Sequence, residues 1–328
     1  MTNRLAQIAT IAGKEIHDAR RTYILLLLTG FLLLAAMVSL TVSAIAMHAD
    51  FAAYIEAHDF LIAAGKSTAD LVPPAFFPMK LLRGFIEHVE IIGAVLGIVL
   101  GYRAAAVERG HSTLSLIMTR PVSQAVFFGG KLLGNATLIA IGLAITFSVG
   151  ATTLALISGV GLSASDCLRI FLVFIAATSY VTCFFLFGFL LALGFRHMST
   201  ALLVAFAVWL SLVLIAPQIG DTMDPDNQVA GGVFKSLGIA KPLEKEILKG
   251  FSTYETIRDD IEQTSPAKHL ERLSFAILGI KDTYNGKPLS FIFNERMVDV
   301  WWMLGTLVAL LAVLFLRPMN ISKLTRES

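Results

Sequence analysis

The sequence predicts an all-α membrane protein with six transmembrane helices, and three observations predict it. Of the 328 residues, 56% are hydrophobic and only 15% are charged, where soluble domains run nearer a quarter charged. A mean hydropathy of +0.74 puts more apolar area on this chain than one soluble core can hide, so lipid must solvate much of its surface. Six segments also reach the ~20 apolar residues a bilayer crossing needs. They are Tyr23–Met47, Glu90–Val107, Val126–Ile157, Leu168–Phe195, Thr200–Pro217 and Val298–Leu316. Each must be helical, because lipid offers nothing to an unpaired backbone amide or carbonyl.

Residues 4–22 come first. Leu5, Ile8, Ala12, Ile16, Ala19 and Tyr23 recur at steps of three and four, one stripe of a helix, with Arg4, Gln7, Lys14, Asp18 and Arg21 off it. A basic amphipathic helix leading into a span suits a membrane interface, where cations meet anionic lipid headgroups. The alternative is a helix packed on protein. The first span itself carries Ala44-Ile45-Ala46, which resembles a signal cleavage site. Its apolar stretch is about 24 residues, beyond the 7–15 of a signal segment, so an uncleaved span is expected. A loop from His48 to Phe85, broken at Pro73-Pro74, follows.

The second span repeats glycine every fourth residue, at Gly93, Gly97 and Gly101, and Gly130 and Gly134 do the same early in the third. Such spacing lets a second helix approach closely. The partner could be another subunit or another span of the same chain. Between these two spans lies the loop 108–124. In it Leu114, Ile117 and Met118 share one face of a short helix, which Pro121 ends because the residue before a proline avoids helix. The third and fourth spans exceed the minimum length and should tilt or protrude. In the fourth, Thr178, Ser179 and Thr182 form the most polar patch. They could line a path, or spend their hydroxyls on their own helix. Asn135 in the third span calls for a partner on another helix.

Residues 218–297 form the largest polar segment. It opens on a turn-rich stretch at 221–227 and holds two expected helices, Pro242–Lys249 and Pro266–Leu278. Trp301 and Trp302 begin the last span, as an interfacial aromatic belt would. The chain therefore divides as one membrane domain, 1–328: an interfacial helix at 1–22, five spans over 23–217, an external segment at 218–297, and the last span and tail at 298–328. Orientation follows Lys and Arg. Arg4, Lys14, Arg20, Arg21, Arg103, Arg109, Arg120, Lys131, Arg196, Arg317, Lys323 and Arg326 fall on one side in short segments. Both termini are thus expected in the cytoplasm of an inner (plasma) membrane.

Several classes of chemistry find no support. A net charge of +2 is too small to argue for nucleic acid. Cys167 and Cys183 stand on one helix roughly 24 Å apart and cannot bridge. His48, Asp50, His58 and Asp59 match no defined metal spacing. Glu87, His88 and Glu90, at the mouth of the second span, could relay a proton or metal or simply sit at the interface. No hydrolase motif or mid-span acidic pair marks a membrane enzyme. No midplane charge or broken helix marks an ion-coupled secondary transporter.

One stretch carries a resemblance. Glu108-Arg109-Gly110, then Leu114, Ile117, Thr119-Arg120-Pro121-Val122-Ser123 and Gly130-Lys131-Leu132, is similar to the coupling segment of ABC-2 (exporter-type) ABC transporter permeases. Two departures stand out: His111-Ser112 interrupts the family's Gly-Thr pair, and Gln124 replaces its arginine. Within the family, size and external insertion look closest to the branch containing permeases of nitrous-oxide-reductase copper maturation. The resemblance implies a permease subunit that exports a substrate, paired with a second permease copy as homodimer or heterodimer. Glu108, Arg109, Gly110, Leu114, Ile117, Thr119, Arg120 and Pro121 would contact a separate cytoplasmic ATPase, which binds ATP and magnesium. The chain itself would hold no catalytic residue, cofactor or metal. It has no G-x-x-x-x-G-K-[ST] phosphate loop. The alternatives are a membrane scaffold or anchor holding an external partner protein at 218–297, or an ion-coupled secondary transporter.

Overall fold

In a computed structural model, the structure describes residues 4–21, 23–68, 77–110, 123–159, 161–223, 233–237, 239, 241–281 and 283–316. Everything regular among them is helical. The elements are α1 (Arg4–Arg21), α2 (Ile24–Ala63), a 3-10 turn (Pro78–Leu82), α3 (Arg83–Gly110), α4 (Gln124–Ser158) and α5 (Ala164–Gly194). After these come α6 (Met198–Trp209), a π-helical segment (Leu210–Ile215) and α7 (Ala216–Met223), which run on as one rod. The rest are α8 (Val233–Ser236), α9 (Lys241–Lys249), α10 (Ser252–Gln263), α11 (Pro266–Leu278), α12 (Leu289–Glu295) and α13 (Met297–Leu316).

Six of these rods are long and apolar enough to cross a membrane. They are α2, α3, α4, α5, the α6–α7 rod and α13. The second, α3, forms the centre: 61% of its most apolar window is buried, against 17% for the α6–α7 rod and for α13. The glycine stripe explains this. A Cβ on Gly97 would lie 2.5 Å from the Val181 carbonyl of α5, and one on Gly93 would press on the Val181 side chain at 3.0 Å. From the other side, Gly188 of α5 receives the backbone of Ile98 at 2.7 Å. With side chains removed at the crossing, the two backbones approach more closely than any larger residue allows. Phenylalanines fill the flanks: Phe85 meets Phe147 edge-on at 5.0 Å, and Phe128 meets Phe189 at 5.9 Å. The glycines thus join spans of one chain.

The first span differs from its sequence reading. Helix α2 does not stop at Met47 but continues through His48 to Ala63, a stretch expected to be loop. Forty residues give roughly 60 Å of helix, about twice the hydrocarbon thickness. Ser39 packs against Gly84, at the start of α3, so the turns beyond Met47 project past the bundle. Its inward stripe is Leu32, Ala36, Leu40 and Ala44, while Leu26, Phe31, Leu34, Val38 and Val42 face outward. That is a peripheral span bathed by lipid.

At the far end from α1, a cap of short helices closes over the spans. Three of its helices, α8, α10 and α12, had no counterpart in the sequence reading, which expected only Pro242–Lys249 and Pro266–Leu278. Helix α11 is buried from Ala267 to Leu278 apart from the half-buried Glu271 and Arg272. Its ends are well specified: Ser265 accepts from the Lys268 amide, Pro266 opens the first turn, and Gly279 takes the left-handed conformation (φ +69°) that ends it. Arg169 at the start of α5 donates to the carbonyls of Ile277 and Lys287, both at 2.6 Å, and so fastens the cap to the bundle. Trp302, expected only to anchor in the interface, instead stacks on His269 of α11 at 4.4 Å. His269 also meets Asp299 of α13 at 2.7 Å.

Candidate functional site

The loop that carried the family resemblance leaves α3 at Gly110 and returns at Ser123, whose hydroxyl caps α4 by accepting from the Val126 amide. Residues 111–122, and with them Leu114, Ile117, Thr119, Arg120 and Pro121, lie outside the described residues. What can be described is how both ends of that loop are held.

Glu108 sits one turn from the end of α3 and is buried, at 2% exposure. It pairs with Lys131 of α4 at 3.0 Å and with Lys14 of α1 at 3.4 Å. Lys131 is buried more deeply still, at 1%, and also binds Glu15 of α1 at 2.8 Å. It donates further to the Ala104 carbonyl at 3.2 Å. Asn135, one turn along α4, donates to the other oxygen of Glu15 at 3.1 Å. One ammonium thus joins three helices. Such a cluster holds only because every charge has a partner, since an unpaired charge at this depth costs several kcal/mol.

The same face explains Gly130 and Gly134. A Cβ on Gly130 would run into Ile11, and one on Gly134 into the Ala12 carbonyl and Glu15, at 2.6–2.9 Å. The two glycines seat α1 along α4. Helix α1 therefore packs on protein along Ile8, Ile11, Ala12, Glu15 and Ala19. Leu5 and Tyr23, placed on the apolar stripe by spacing, stand outside the contact at 72% and 68% exposed.

Arg109 points the other way. Its guanidinium donates to the carbonyls of Ala192 and Phe195 at 2.8 Å and of Arg196 at 2.7 Å. Ala192 lies in the last turn of α5, where a helix leaves carbonyls unsatisfied and its dipole favours a cation, and Phe195 and Arg196 belong to the turn that follows. Consecutive residues thus clamp the loop's first end to α1 and α4 through Glu108 and to the α5–α6 turn through Arg109. Arg103 reaches the Asp18 carbonyl at 3.5 Å.

The intramembrane hydroxyls do not converge. Thr178 donates to Phe174 O at 2.8 Å and Thr182 to Thr178 O at 2.7 Å, both on their own helix. Ser179 is half-buried beside them. At the mouth of α3, Glu87 pairs with Arg83 at 2.9 Å and His88 with the Gly84 carbonyl, while Glu90 is turned inward and buried. Among the described residues no three ligand-type side chains gather as a metal would need.

Lys131 and Glu15 each stand out in the sequence, but nothing there pairs them. Lys131 interrupts an apolar run, and an ionisable group inside a membrane segment asks for a named partner. Glu15 falls within the very stripe that predicted α1.

Six helices long and apolar enough to cross a membrane define the class: an integral, multi-pass membrane protein. The chain belongs to the ABC-2 family of transporter proteins, whose family model matches residues 9–317. It is accordingly a permease subunit of an ABC transporter, the membrane part of a machine whose family works with cytoplasmic ABC ATPases. The match is to the family as a whole and does not extend to the nitrous-oxide-reductase branch. No curated protein sequence matches the chain.

Proposed function

We propose that this permease couples ATP hydrolysis by a separate cytoplasmic ATPase to export of a substrate, with residues 108–124 as the point of contact. Both termini and the α1 end face the cytoplasm of the inner membrane, and 218–297 forms an external cap. The ATPase binds ATP and magnesium, and a second permease copy, identical or related, completes the pathway.

The observation that supports this reading best is the double clamp on the loop. A push that reaches the end of α3 meets charged side chains that already have partners. Through Glu108 and Lys131 it acts on α1, α3 and α4 together, and through Arg109 on the turn between α5 and α6. Packed elements held this way shift as rigid bodies. Arg109, spent on helix carbonyls, is then a transmitting residue, and Arg120 is the better candidate for direct contact.

The test is co-purification of the tagged chain with an ATPase, followed by coupled ATPase activity of Arg109→Glu and Arg120→Glu. Both reversals should lower it when activity is read per amount of folded permease recovered. Normal coupling in both overturns the assignment of 108–124.

A further inference from the structure

Where α3, the α6–α7 rod and α11 meet at the cap end, they enclose a partly open cavity of about 590 Å³. Its lining divides in two. Ile91, Val213, Leu214 and Pro217 give an apolar floor at the ends of the spans, and the charged side chains stand around the cap-side rim.

The charges at the rim are engaged. Arg83 is paired with Glu87 at 2.9 Å. Lys268 is paired with Asp221 at 2.8 Å and Glu271 at 2.9 Å. Burial would lower the Lys268 pKa, but the Glu271 and Asp221 carboxylates outweigh it and hold the ammonium above the usual lysine range. The exception is Glu90. It lines the cavity, is only 6% exposed, and its Oε1 has no hydrogen-bond partner among the described residues. A buried carboxyl oxygen left without a hydrogen-bond partner is costly and rare. The backbone around it is well held, since Tyr180 donates to the Glu90 carbonyl at 2.9 Å.

The wall opposite is irregular as well. Over Leu210–Ile215 the helix widens to π geometry, with the Ala216 amide reaching back five residues to Ser211. Pro217 lacks the amide that would close the ordinary bond to Val213, so a wider turn suits this position. π segments are rare and recur where a helix shapes a functional site.

We propose that this cavity binds a ligand carrying a protonated primary amine on an apolar body. The ammonium sits at Glu90 and the body lies over Ile91, Val213, Leu214 and Pro217. A divalent metal fits poorly, because it needs several oxygen ligands and the neighbouring carboxylates are committed to Lys268 and Arg83. An anion fits worse, since it would face Glu90, Glu87 and Glu271. The chemistry is shared by a soluble alkylamine and by an aminophospholipid headgroup entering from the membrane.

The site needs no ATPase to be tested, so its failure would leave the coupling proposal untouched. The full chain is reconstituted in nanodiscs of phosphatidylcholine and phosphatidylglycerol, which lack primary amines, and titrated calorimetrically with n-octylamine, with n-octanol as the uncharged control. Saturable binding of the amine and none of the alcohol is expected. Glu90→Gln preserves shape and should weaken binding about 10- to 100-fold, the range for losing a charged hydrogen bond. Gln218→Trp, an exposed rim position, should block entry with Glu90 intact and guards against a folding artefact in the first variant. If phosphatidylethanolamine in the disc competes, the natural source is the lipid headgroup. If it does not, the source is a soluble amine. Unchanged octylamine binding in Glu90→Gln, or no saturable binding by the parent chain, overturns the proposal.

Discussion

The two ends of the helical bundle both bury carboxylates, and they treat them in opposite ways. At the α1 end, Glu15 and Glu108 close on Lys131, and α1 is laid against α4 through Gly130 and Gly134 so tightly that little space is left. At the cap end, Arg83 and Lys268 pair with carboxylates around a cavity of about 590 Å³, and Glu90 stays without a donor at Oε1. On the two proposals above, the difference separates an end that transmits from an end that binds. Complete pairing in a tight fit transmits displacement, because no group can move without its partners. An unpartnered carboxyl oxygen beside a cavity offers a position for a ligand's donor.

The sharpest way to break that comparison is to remove one charge from each end. Lys131→Met leaves Glu15 and Glu108 facing each other without their common cation, and should destabilise the chain by about 3–5 kcal/mol, the range for breaking a buried pair. Glu90→Gln removes a group whose Oε1 has no donor and should leave thermal stability near that of the parent. Thermal aggregation followed by fluorescence-detected size exclusion measures both. Equal losses would mean that Glu90 is as structural as Lys131, and the distinction between lock and site would fall. Adding Glu15→Gln and Glu108→Gln to Lys131→Met should recover part of the loss, since the repulsion goes with the charges.

A smaller effect is expected along the spine that joins the two ends. A Cβ on Gly101 has no room against Phe185 and Phe189 of α5, whereas Gly30 on the outer helix α2 has open space around it. Gly101→Leu should cost at least about 1–3 kcal/mol as overpacking forces α3 from α5. Gly30→Leu should be neutral or slightly stabilising, because leucine favours helix over glycine by most of a kcal/mol. If the two tolerate leucine alike, α3 and α5 are not the rigid axis between the clamp and the cavity.

How much of this was legible follows the same divide. Six spans, the packing glycines and α11 could be read because their signals are local: long apolar runs, a four-residue glycine period, and Ser265, Pro266 and Gly279 at helix ends. The extension of α2 to Ala63 could not, since its charged residues interrupt the apolar run and resemble a loop. The clamp and the cavity were hidden for a different reason. Glu15 and Lys131 are 116 positions apart, and Glu90 and Lys268 further still. Only the crossing of helices brings such residues together. A sequence scan finds each as a lone charge and gives it an interfacial role.

The smallest expected effect concerns the polar patch midway between the two ends. Thr178 and Thr182 donate to carbonyls one turn back on α5. A threonine hydroxyl spent this way adds little to stability and presents little to a passing solute. Thr178→Val is nearly the same shape and removes only that oxygen. Stability should change by less than about 0.5 kcal/mol, and ATPase activity in the reconstituted complex should stay at the parent level. A marked drop in activity at unchanged stability would make the mid-membrane hydroxyls part of a path.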